Sequence, residues 1–173
     1  MARYLSFGVV FALIAGCAAP AANLPVPRLE QPSQPHGLYI KVFTVPGWVQ
    51  APAPDSDGNM IMINKELQAQ VLIGVFPRKD GEPRDQIGWF MVKMMSQGAE
   101  IGAMALPNQA EAPASLEFSG AAQGRIIQGK AFAKLSGIDG LGLTLIGLWP
   151  VENDAAVRPV FDLITGSADI LQQ

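Results

Sequence analysis

The sequence predicts an α+β protein, an antiparallel β-sheet of about six strands flanked by two main helices in a sandwich. Three observations predict it. Short β-rich stretches alternate with Gly- and Pro-rich turns along most of the chain. Ile87, Phe90, Met91, Met94 and Met95 recur as one apolar stripe at helical period. Residues 142–149 are apolar on both alternating faces, the pattern of a central strand buried from both sides.

The elements follow in order. Leu38 to Val45 is β-rich and partly alternating, and Pro46-Gly47 ends it ahead of Trp48. Asp55-Ser56-Asp57-Gly58-Asn59 marks a turn, and Met60–Asn64 and Ala69–Phe76 are two further strands. A polar loop, residues 77–83, leads into the first helix. Pro83 suits its first turn and Gly98 a left-handed stop. Ile101–Leu106 is a short strand; Ser115–Ala121, Arg125–Leu135 and Gly142–Trp149 are strands parted by Gly-rich turns. Leu143, Leu145, Gly147 and Trp149 face one side of the last, and Thr144, Ile146 and Leu148 the other. Asn153 suits the cap of a closing helix striped by Val157, Phe161 and Ile164, with Ala168 and Leu171 extending the stripe and Gly166 as a stop. Pro159 argues for a late start or a kink.

The N-terminus carries a separate signal. Arg3 precedes an almost wholly apolar run from Leu5 to Ala15, shorter than the roughly 20 residues that span a bilayer. Small residues Ala15 and Gly16 then precede Cys17, the only cysteine. Ile14-Ala15-Gly16-Cys17 resembles a bacterial lipobox. That resemblance implies cleavage between Gly16 and Cys17, a diacylglyceryl thioether on Cys17, and an acylated amine. Two or more chains at one residue hold a protein stably on a lipid membrane. The resemblance also makes Ala18, where an aspartate often signals inner-membrane retention, a pointer to the outer membrane of a Gram-negative cell, facing the periplasm. The expected organisation is a signal peptide over 1–16, a lipidated Pro-rich tether over 17–36, extended and solvated, and a single domain over 37–173.

Removing Arg3 with the signal leaves 11 cations against 15 acids, a net charge of −4. No basic run is present, which argues against nucleic acid as a partner. No cofactor is implied. His36 is the sole histidine, at the junction of tether and domain, and a surface or hinge role is the preferred reading: an acylated Cys17 is not free to act as its nucleophile, and one histidine is too few for a histidine-rich zinc site. Asp55, Asp57, Asn59 and Glu66 fall at calcium-loop spacing, yet Met60 stands where that loop needs glycine, and an Asp-Gly turn between strands is the preferred reading. Met60, Met62, Met91, Met94 and Met95 are soft copper ligands by chemistry, and core packing by periodicity is the preferred reading. Gly137, Gly140 and Gly142 precede an apolar strand, so they mark a hairpin turn and not a nucleotide loop. The downstream acids form no acid/base pair by spacing.

The run into Val45-Pro46-Gly47-Trp48, the helix after the third strand, and the ending Leu143–Pro150 with Phe161-Asp162-Leu163-Ile164 together resemble the PsbP-like fold shared with DcrB-like bacterial lipoproteins. Proteins of that fold act mostly as binding or assembly modules. The expected function is therefore a non-enzymatic, membrane-anchored module that binds an unidentified envelope protein, with Trp48 and Trp89 as candidate contacts. The alternative is a carrier of a small ligand or of copper, using a pocket between sheet and helix.

Overall fold

Residues 141–150 set the arrangement, because both faces of their strand must be covered. The computed structural model describes residues 27–33, 38–43, 45–52, 60–96, 100–102, 113–122 and 124–172. The lipobox, His36, the Asp55–Asn59 turn and Gly98 lie outside the described residues. The strands are β1 (Pro27–Ser33), β2 (Leu38–Phe43), β3 (Val49–Pro52), β4 (Met60–Asn64), β5 (Ala69–Pro77), β6 (Glu100–Ile101), β7 (Ala114–Ala122), β8 (Arg125–Leu135), β9 (Leu141–Pro150) and β10 (Asp169–Gln172). The helices are α1 (Pro83–Ser96) and α2 (Asp154–Ser167).

A seven-stranded sheet runs in the order β3-β4-β5-β9-β8-β7-β6, every pair antiparallel. A smaller sheet has the order β1-β2-β10. As its pattern predicts, β9 is central, between β5 and β8. Leu143, Leu145 and Trp149 enter one core with Val157, Phe161 and Ile164 of α2 and with Ile40, Val42 and Ile170 of the small sheet. Ile146 and Leu148 enter a second core with Ile87, Met91 and Met94 of α1 and with Leu116, Phe118 and Ala131. The layers are thus α1, the large sheet, and α2 beside the small sheet. Fully burying one such side chain contributes roughly 1.5–3 kcal/mol, so these two faces dominate stability.

On each face of the large sheet an aromatic ring covers a glycine. Phe161 lies over Gly147 and against Trp149, ring centroids 5.9 Å apart. A Cβ on Gly147 would stand 2.5 Å from both rings, so only glycine fits this close approach. On the opposite face Phe118 covers Gly129 in the same way, 2.2 Å from a Cβ built there.

Several expectations are corrected. Part of the expected tether, Pro27–Ser33, pairs with β2 from Pro27↔Phe43 to Ser33↔Leu38, with a shift of register between Leu29 and Pro32. The strand is at a sheet edge, where proline's missing N–H is tolerated. Met95 is not buried with its stripe: it is 44% exposed, because the eighth residue after Ile87 has rotated about 80° off the helix's buried line. Asn153 makes no capping bond; its amide donates to the Leu67 carbonyl at 2.8 Å. Helix α2 runs through Pro159 and Gly166 to Ser167, and Ala168 and Leu171 follow it outside the helix, Leu171 in β10. Of the strand expected over Ile101–Leu106, Ile101 is in β6 (Glu100–Ile101), and residues 103–106 lie outside the described residues.

Gly147→Ala is expected to destabilise the fold by about 1–3 kcal/mol through overpacking. Gly166→Ala, with open space around its added Cβ in an exposed turn of α2, is expected to stabilise by up to about 1 kcal/mol. Urea unfolding midpoints of the two variants check both signs together.

Candidate functional site

At one end of the large sheet three chain segments meet around an open cleft. The first is the tight turn joining β4 to β5. Buried Asn64 accepts through Oδ1 from the Leu67 amide at 2.9 Å, and Gln68 takes the left-handed conformation, φ 48°, to reverse the chain. The second is the start of β8, where Arg125 donates through Nη1 to Gln68 Oε1. The third is the 3₁₀ turn Val151–Asn153 after β9, tied to the first by the Asn153–Leu67 bond. The cleft encloses about 520 Å³. Ile126 and Val151 line it and are 64% and 46% exposed. Glu66 and Glu152 also line it, both exposed, and neither makes an ion pair among the described residues.

Of the two candidate tryptophans, Trp48 is 6% exposed and packed in the core, which removes it from any surface contact. Trp89 is 57% exposed on α1, with the Lys93 ammonium 5.0 Å from its ring centroid. The five methionines do not converge. Met60 and Met62 lie in the α2 core, Met91 and Met94 in the α1 core across the sheet, and Met95 is exposed. Among the described residues no group of three or more His, Cys, Asp or Glu is placed to hold a metal. Between the large sheet and α2, Phe161 lies against Gly147 and Trp149. No helix among the described residues is long and apolar enough to cross a membrane.

The acids that sequence spacing leaves unpaired are drawn together by two cations. Arg158 bridges Asp154, at 3.2 Å, and Glu117. Lys130 reaches Asp162 at 2.7 Å and Glu117 at 3.8 Å. The Trp149 indole donates to Asp154 Oδ1 at 2.9 Å. That bond, with Arg158 adding to it, holds the Asp154 carboxyl below the ordinary aspartate range against an opposing effect of burial. Glu117, then Asp154, raise the Arg158 guanidinium above its ordinary value. These groups brace α2 against β7, β8 and β9. Each of these carboxylates has a cation within ion-pair distance.

Sequence reasoning missed Gln68, Arg125, Ile126, Val151 and Glu152 as a site, because the cleft is made by three segments distant along the chain. One signal was present. Ile126 and Ile127 are adjacent in a strand, so alternation must send one of them away from the core that takes the other. Ile127 is the buried one.

No protein-family model matches the sequence, and no curated protein matches it. In fold the chain is similar to the solution structure of cyanobacterial PsbP (CyanoP) from Synechocystis sp. PCC 6803, at 14% identity and a TM-score of 0.55, covering 91% of this chain and 99% of that one. It is also similar to the crystal structure of LpqN of Mycobacterium tuberculosis, a protein involved in cell envelope biogenesis. There the identity is 8% and the TM-score 0.51, over 86% of this chain and 92% of that one. The domain therefore has a PsbP-like α+β fold, as its strand and helix pattern predicts.

The lowered Asp154 carboxyl gives stability a defined pH dependence. Its contribution is present above the unfolded aspartate value of roughly pH 4 and is lost as pH falls through the lower folded value. Asp154→Asn is therefore expected to flatten the fall in Tm on acidification below roughly pH 4, as measured by thermal melts of both proteins across that range.

Proposed function

We propose that this chain is a lipoprotein anchored through acylated Cys17 to the periplasmic face of a Gram-negative outer membrane, and that it works without catalysis by binding another envelope protein. The observation that carries the contact reading is the cleft at the sheet end. Exposed Ile126, at the start of β8, and Val151, in the 3₁₀ turn after β9, stand on segments tied to the β4–β5 turn by the Arg125–Gln68 and Asn153–Leu67 bonds. Apolar side chains held exposed by a bonded frame are what a partner covers, and a frame already ordered loses little freedom on binding. The fold shared with LpqN, itself involved in cell envelope biogenesis, is compatible with such a module. The anchor reading is supported by the apolar run that ends at Ile14-Ala15-Gly16-Cys17.

The test is mass spectrometry of the full-length chain expressed in a Gram-negative host and extracted from its membrane fraction. The expected product begins at Cys17 and carries acyl mass on that residue, and Cys17→Ala is expected to leave the chain unacylated and unprocessed. An unmodified thiol in a protein recovered from the aqueous fraction overturns the anchor. Crosslinking in intact envelopes is expected to give the wild-type chain reproducible protein adducts that diminish in Cys17→Ala.

A further inference from the structure

We propose that the cleft takes a segment of the partner protein in which an aliphatic side chain is flanked by lysine or arginine. This deepens the protein-contact reading and rests on it.

The cleft's apolar and charged parts point the same way. Ile126 and Val151 offer exposed aliphatic surface along an open cleft of about 520 Å³. Around them stand one cation and two acids. Arg125 donates to the neutral Gln68 amide and keeps its charge, so the two acids leave the lining with an excess of one negative charge. Glu66 and Glu152 have no ion pair among the described residues. The site thus presents two uncommitted carboxylates beside an aliphatic wall. A segment with cations next to its aliphatic side chain satisfies both features, and an acidic segment meets like charge.

The same charges argue against the other occupants. Anionic lipid headgroups would face Glu66 and Glu152, which outnumber Arg125 in the lining. A second copy docking this face on itself would bring two net-negative linings together, since a two-fold contact uses one patch twice. The net charge of −4 on the chain after Cys17 cleavage adds a long-range bias toward a basic partner.

The experiment places a photo-crosslinking aromatic residue at position 126 of the full-length chain in intact cells and maps the partner peptide by mass spectrometry. A parallel chain also carries Glu66→Lys and Glu152→Lys, its folding checked by thermal melt. The expected adduct is on a protein peptide with Lys or Arg within two residues of the reacted aliphatic residue. Charge reversal is expected to lower its yield about fivefold or more, since two attractions become repulsions. An adduct on lipid, on a second copy, or on an acidic or uncharged segment overturns the proposal, as does a yield that charge reversal leaves unchanged. Those outcomes leave the wider module reading intact if the adduct is still an envelope protein. No adduct at this position overturns the proposal, and no protein adduct anywhere on the chain overturns the protein-contact reading as well.

Discussion

Phe161 lying over Gly147 is the contact on which the rest of the structure depends. It brings α2 down onto the central strand at a point where no side chain intervenes, beside Trp149. The ring's approach sets where Asp154 meets the Trp149 indole and where Arg158 and Lys130 meet Glu117 and Asp162. The C-terminal end of the helix then delivers Ser167, whose hydroxyl accepts from the Phe43 amide, to the small sheet. One backbone approach therefore ties the helix, the large sheet and the small sheet into a single core. A larger residue at position 147 would move all three together.

Periodicity made the buried framework legible in the sequence. The alternation in Leu143–Trp149 placed β9 in the middle of the sheet, and Ile87, Met91 and Met94 marked the buried line of α1, because burial imposes a period that composition then displays. The short elements left no such trace. β3 has four residues and β10 four, too few for alternation to rise above chance. β1 was hidden by its own prolines, which read as solvated chain until the partner strand that accommodates them is known. Asn153 has the chemistry of a helix cap, but a tertiary acceptor at Leu67 took its amide instead.

The candidate site was less legible than the fold for a related reason. Its parts come from residues 66–68, 125–126 and 151–153, which only the antiparallel register brings to one end of the sheet. Single residues chosen by type fared unevenly. Trp48 has the surface area of an interface anchor and spends it in the core, whereas Trp89, of identical chemistry, lies outside on α1. Residue type set what each side chain could do, and topology set which of them faces outward.

The strand formed by Pro27–Ser33 changes how the proposed lipoprotein would meet its surroundings. With acyl groups on Cys17, only residues 18–26 remain between the lipid and the folded head, and nine residues fully stretched reach about 30 Å. A globule of this length has a radius of gyration of about 15 Å, so the leash is no longer than the head is wide. Such a head would stay beside the bilayer instead of reaching away from it, and its encounters with other membrane-held molecules would become a search in two dimensions.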